Sequence, residues 1–125
     1  MADAANTTHP GVHFNGPSKG VLRCVWEAMA GVTTALPMSA PQYPDRTFTG
    51  TGTWGSATLV LEGSNDGVTY ITLNCMTATG EVTVASFTAD FVALLIEHTL
   101  YVRPKTTGGT GTDLDVICLA QSTRR

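Results

Sequence analysis

Apolar and polar residues alternate along most of this chain with a period of two, the period that sends successive side chains to opposite faces of a strand. Leu22, Cys24, Trp26 and Ala28 share one face of a strand over Val21 to Met29, with Arg23 and Glu27 on the other. Phe48 stands among Thr47, Thr49, Thr51 and Thr53 in a second strand, Arg46 to Trp54. The Gly50 and Gly52 between them mark a bulge or the close approach of another backbone. Runs at Ala57 to Leu61 and Thr69 to Cys75 flank Ser64-Asn65-Asp66-Gly67. Gly accepts φ > 0 and Asp tolerates the left-handed region, so this segment reads as a β-hairpin. A Thr79-Gly80 turn precedes Val82 to Val84, and Leu100 to Pro104 opens another strand. Pro104 has no N–H to donate and is expected at a strand edge or end. In the last strand Leu114, Val116, Cys118 and Ala120 face one way, and Asp115, Ile117 and Leu119 the other. That strand becomes apolar on both faces toward its end, which predicts a cover on both sides or an interface.

Two segments depart from the alternation. In Phe87 to Glu97, Thr88 can cap and Asp90 sits in a first turn, while Phe91, Leu94 and Leu95 fall at helical spacing. A helical turn or short helix is expected there. Ala30 to Asp45 carries Pro37, Pro41 and Pro44, which forbid a central strand or helix, and long irregular connections often contact a partner. Residues 1–18 are polar and aperiodic, with Pro10, Gly11, Gly16 and Pro17, and read as an extended N-terminal arm. Residues 19–125 then form a single domain. About seven or eight strands at short, regular spacing predict an all-β fold, an antiparallel β-sandwich of jelly-roll-like type. The expected core is Leu22, Trp26, Phe48, Leu59, Leu61, Ile71, Leu73, Val84, Phe91, Leu95, Val102, Val116 and Cys118.

Composition narrows the function classes. Charged residues are 14% of the 125, and Thr, Ser, Ala and 13 Gly take their place, as suits a pleated surface with many turns. A net charge of −3 leaves no electrostatic footprint for nucleic acid; the one basic run, Arg124-Arg125, reads as a solvated tail. No apolar run reaches the ~18 residues of a membrane span, and Met1 to Thr8 has neither the basic nor the apolar region of a signal peptide. Synthesis in a cytosol is expected. Cys24, Cys75 and Cys118, odd in number and widely spaced, form neither a disulfide framework nor a zinc pattern and read as small hydrophobes.

Candidate chemistry is sparse. No Ser or Cys lies in a recognisable nucleophile motif, and no base is paired with one. Glu62 and Asp66 bracket the hairpin turn, and Asp113 and Asp115 share a polar strand face, where solvation explains them without a cation. Thr107 to Thr112 is Gly-rich but lacks the Gly-Lys-Ser/Thr and following helix of a phosphate loop. His9 and His13 are too sparse for a metal site, and His98 reads as a structural residue. No enzyme activity, no cofactor and no metal are expected.

Two resemblances rest on quoted residues. Gly63-Ser64-Asn65-Asp66-Gly67 with Tyr70, and the later Tyr101-Val102-Arg103, resemble discoidin-like and carbohydrate-binding β-sandwich modules. Such modules hold sugars on exposed aromatics, and Trp54 is the candidate next to a turn. A closer resemblance runs from about Val21 to Arg125. Trp26-Glu27, Asp45-Arg46-Thr47-Phe48, Gly52-Thr53-Trp54-Gly55-Ser56-Ala57-Thr58 and Phe87-Thr88-Ala89 stand in the order found in a group of small tailed-phage virion proteins. Tyr101-Val102-Arg103-Pro104, Thr107-Gly108-Gly109 and Asp113-Leu114-Asp115-Val116 continue the pattern. The chain departs from it after Met29, where the family has a shorter, Gly-Asp-rich turn. The resemblance implies a head decoration or cement protein in the phage capsid, self-associating and bound to the major capsid protein. The alternatives are a tail or neck component and a carbohydrate-binding module for host attachment. Partner contacts are expected at His9, Pro10, His13 and Phe14 of the arm, Pro37, Pro41 and Tyr43 of the proline-rich connection, and Trp54.

Overall fold

The computed structural model describes residues 12–13, 21–39, 41, 43–77 and 83–121. They form twelve strands and no helix. The strands are β1 (Val12–His13), β2 (Val21–Met29), β3 (Thr33–Thr34), β4 (Met38–Ser39), β5 (Asp45–Thr53) and β6 (Thr58–Ser64). Then follow β7 (Ile71–Thr72), β8 (Cys75–Thr77), β9 (Thr83–Val84), β10 (Phe91–Leu95), β11 (Tyr101–Thr107) and β12 (Asp113–Gln121). A seven-stranded sheet runs β1-β2-β12-β5-β10-β8-β9. A five-stranded sheet runs β3-β11-β6-β7, with β4 also on β11. Every pairing is antiparallel, and the two sheets close as a sandwich, as the alternation predicts.

The core is the set of side chains that alternation turns inward from both sheets. Trp26, Phe48, Leu59, Leu61, Val102, Leu114 and Val116 are buried in it, and the Trp26 and Phe48 rings stack at 6.2 Å. The Trp26 indole N–H donates to the Leu36 carbonyl at 2.7 Å, so the one polar atom of this core ring is satisfied by the proline-rich connection. Three expected core residues sit differently. Ile71 is 63% exposed, because β7 is a two-residue strand at the edge of its sheet among the described residues. Val84 and Phe91 are half-buried and pack against the core from its margin.

The expected helix at Phe87–Glu97 is a correction. Phe91–Leu95 is a strand wedged between β5 and β8, with Ala93 facing Phe48 in register and Leu95 facing Cys75. A continuous apolar run satisfies helical and strand spacing alike, and lateral pairing on both sides decides for the strand. Asp90 serves no helix; it accepts from the Trp54 indole instead. The single strand expected over Thr69 to Cys75 is also divided: β7 pairs β6 in one sheet, and β8 pairs β10 in the other. Glu97 fixes the crossover between them, accepting from the Asn74 backbone N–H at 2.7 Å and from its side-chain amide at 2.8 Å.

Pro104 lies mid-strand in β11, not at an end. Its carbonyl accepts from the Ala35 N–H at 3.1 Å, on the side where β3 and β4 leave a gap along β11. In a strand the N and O of a residue point the same way, so the missing N–H of Pro104 falls in that gap and no ladder bond is lost. The hairpin at Asp66-Gly67 forms as expected, with Gly67 at φ 78°.

Candidate functional site

Among the described residues no group of three His, Cys, Asp or Glu side chains converges to hold a metal ion, and several of the charged side chains cross-link the sheets. The Asp66 carboxylate accepts from the Thr69 and Val68 N–H groups and from the Ser64 hydroxyl, each at 2.8 Å, and these bonds hold it down to about 2. Glu62 pairs with Arg103 at 3.0 Å and lies 3.8 Å from Lys105, and the Arg103 guanidinium sits 3.6 Å over the Tyr70 ring. These charges cross-link the outer face of the five-stranded sheet. Asp115 accepts from the Ala28 N–H at 3.0 Å, where the β2–β12 register shifts.

The Arg46 side chain is buried at the start of β5. Its Nε donates to the Tyr43 carbonyl and its Nη1 to the Thr99 carbonyl, both at 2.9 Å. It thereby ties the end of the proline-rich connection to the segment that links β10 to β11. Desolvation lowers the guanidinium's pKa, opposed by the nearby Cys118. His98, also on that segment, is exposed; partial burial lowers its pKa, the positive Arg46 adds to this, and the Pro41 carbonyl opposes both.

The expected contact residues are dispersed. His9, Pro10 and Phe14 lie outside the described residues, while His13 pairs with Leu22 as the second residue of β1. Pro37 is half-buried, Pro41 is exposed, and Tyr43 packs on the core margin. These three do not meet Trp54, which lies at the far end of β5. The Trp54 indole N–H donates to Asp90 Oδ1 at 2.8 Å, and its ring is tilted 56° against Phe91 at 6.4 Å. Next to it is an open cleft of about 410 Å³ lined by Thr77, Ser86, Phe87, Thr88, Asp90 and Phe91, among others. Phe87 and Phe91 stack on each other at 3.7 Å and spend a ring face each on that contact. The cleft therefore offers the hydroxyls of Thr77, Ser86 and Thr88 and the Asp90 carboxylate, one oxygen of which accepts from the Trp54 indole.

What the sequence reading did not single out is a set of exposed apolar side chains. Val68 (81% exposed), Ile71, Ile96 and Leu100 surround the end where the hairpin loop, the β7–β8 crossover and the β10–β11 link converge. The Leu100 N–H donates to Asn65 Oδ1 at 2.9 Å, and the Ile96 N–H to the Asn74 carbonyl at 3.0 Å, which places these loops side by side. Val32 and Leu36 project from the proline-rich connection. Clustered exposed apolar groups of this kind mark contact surfaces.

No protein-family model and no curated protein sequence matches the chain. A solved structure does: the SPBc2 prophage-derived protein YomS superposes with a TM-score of 0.67 over 88% of this chain and 98% of that one, at 11% identity. The two chains share a fold, and the likeness spans nearly the whole β-sandwich rather than a part of it.

Proposed function

We propose that this chain is a structural protein of a tailed-phage virion, a head decoration or cement protein that self-associates and binds the major capsid protein. The observation that carries the reading is the fold shared with a prophage-derived protein over 88% of the chain, added to the order of virion-protein motifs in the sequence. The protein works by shape and adhesion, with no bond made or broken and no cofactor. A rigid antiparallel sandwich supplies the scaffold, and the exposed Val32, Leu36, Val68 and Ile71 supply contact groups. Many copies on a shell make individually weak contacts strong together. A chain of net charge −3 has no reason to hold nucleic acid, and its place is the capsid.

Purified protein mixed with expanded empty heads should bind at a stoichiometry tied to lattice symmetry and raise their melting temperature. Removal of residues 1–18 should weaken that binding and leave the domain's own unfolding nearly unchanged. Copurification with tail tubes and none with heads would replace this reading with a tail or neck component. Glycan binding abolished by Trp54→Ala would replace it with a host-attachment module.

A further inference from the structure

Cys24 of β2 and Cys118 of β12 are direct partners in the register of the seven-stranded sheet. Both are buried and both belong to the core, so the two thiols lie side by side on the face that looks toward the other sheet. Opposed residues of an antiparallel pair have Cα atoms about 4.5–5.5 Å apart. Disulfides span about 4.4–6.8 Å between Cα atoms. Strand pairing alone therefore sets these two cysteines at a separation that a disulfide bridges. The register around them is firm: Ile117 pairs with Val25 and Leu119 with Arg23, and β12 is held from its other side by β5, where Cys118 faces Phe48. Cys75 is buried as well, but its partners are Leu95 and Val84, so it has no cysteine opposite it.

We propose that Cys24 and Cys118 form a cross-strand disulfide under oxidising conditions and that this bond locks β2 to β12. The structure holds the pair in its reduced form. The virion reading above supplies the occasion, because a particle released from its host passes from a reducing to an oxidising medium. The geometry of the pair does not depend on that reading. The oxidant is a low-molecular-weight disulfide such as oxidised glutathione. Entry is through Cys24: among the described residues β1 pairs with Leu22 and Arg23 and goes no further along β2, so this strand opens more readily than β12, which is paired along both sides. The Cys24 thiol loses its proton and attacks one sulfur of the oxidant, which leaves a mixed disulfide and releases one thiol. Cys118 then loses its proton and attacks the Cys24 sulfur, releasing the second thiol. One small disulfide is reduced to two thiols, and two protein thiols are oxidised to one disulfide. Burial pushes the Cys118 thiol up and the neighbouring Cys24 adds to this, while the positive Arg46 opposes both and favours the attacking thiolate. The bond joins a strand near the start of the chain to the last strand. It closes a long loop, the case in which a cross-link restricts the unfolded chain most.

The full chain, held folded with oxidised glutathione until thiol loss stops, is then denatured, alkylated and digested for peptide mass spectrometry. The expected map is one intramolecular disulfide, Cys24 to Cys118, with Cys75 alone alkylated. The melting temperature of the oxidised chain should exceed that of the reduced chain by about 5 °C or more. Cys75→Ala should form the same bond, whereas Cys24→Ala should form none and gain no melting temperature from the oxidant. Should Cys24→Ala fail to fold, the map of the natural chain decides. Three alkylated cysteines, a persistent glutathione adduct, a bond that includes Cys75, or a Cys24–Cys118 bond that lowers the melting temperature would each overturn the inference. None of these measurements involves heads, so a failure of capsid binding leaves the disulfide standing, and the reverse.

Discussion

Ala28 and Asp115 hold each other across a bulge: the Ala28 N–H donates to Asp115 Oδ1 at 3.0 Å, and Ala28 has φ 56°. Met29 pairs with Leu114 and Trp26 with Val116, so β2 has one residue more than β12 over this stretch. The extra residue keeps Met29 facing the core after the register shift. A left-handed Ala costs about 1–2 kcal/mol, and Gly loses about half to one kcal/mol more backbone entropy on folding. Ala28→Gly should therefore stabilise the fold by up to about 1 kcal/mol. Asp115→Ala should destabilise it by about 1 kcal/mol, an exposed hydrogen bond being worth the lower end of the range. Urea denaturation of the two variants checks both signs, and a destabilised Ala28→Gly would contradict this account of the bulge.

Acid should loosen the hairpin end first. The Asp66 carboxyl is held at about 2, from an ordinary 3.8, by the Thr69 and Val68 N–H groups and the Ser64 hydroxyl. For Glu97, burial pushes the pKa up from an ordinary 4.5, but the Asn74 backbone and amide N–H groups outweigh it and the net shift is downward. A folded-state pKa below the unfolded one stabilises above the unfolded value, and the contribution is lost as pH falls through the folded one. The stability difference between the natural chain and Asp66→Ala should hence be flat at neutral pH and shrink from 3.8 toward 2. A difference that persists unchanged at the lowest pH would remove the hydrogen-bond explanation.

Much of the sandwich was legible because alternation is a local signal. Leu22, Cys24 and Trp26 inward against Arg23 outward needs no knowledge of neighbours, and the structure agrees. Phe91–Leu95 was not legible, since five apolar residues in a row carry no period and only β5 and β8 on either side specify a strand. The division of Thr69–Cys75 between sheets was hidden for a similar reason: the Asn74–Glu97 contact that turns the chain joins residues 23 apart. Of the surfaces, the apolar reverse of β12 at Ile117 and Leu119 could be read from sequence. Its continuation onto Val92, Leu94 and Met76 depends on strand order.

Of the two β5 glycines expected at a bulge or a close backbone approach, Gly52 meets another backbone, whereas Gly50 meets a side-chain ring. A Cβ on Gly50 would overlap the Phe91 ring, and one on Gly52, at φ 136°, would overlap the Asp113 carbonyl. A ring at a sheet margin can shift, whereas backbone paired in register cannot. Gly52→Ala should therefore cost more than Gly50→Ala, on the order of 2–4 kcal/mol against 1–3 kcal/mol. Thermal unfolding of the two variants tests the order, and equal losses would show that β12 yields as easily as the ring.

The Trp54–Asp90 pair separates a structural role from a ligand-binding one. The indole N–H and carboxylate meet at 2.8 Å, joining the end of β5 to the residue before β10, while the Trp54 carbonyl accepts from the Thr112 hydroxyl at 3.0 Å. Trp54→Phe keeps an aromatic ring against Phe91 and removes the donor; Asp90→Asn keeps the shape and removes the charge. Each should lower stability by about 0.5–1.5 kcal/mol. The double variant should lose less than the two losses added together, because the second change finds the bond already broken. A platform for a planar ligand behaves otherwise: Trp54→Phe would preserve stacking, and the two losses would be independent and add. Additive losses in a double-mutant cycle, measured by chemical denaturation, would show that the contact does not stabilise the fold and would reopen Trp54 as a surface held ready for a partner.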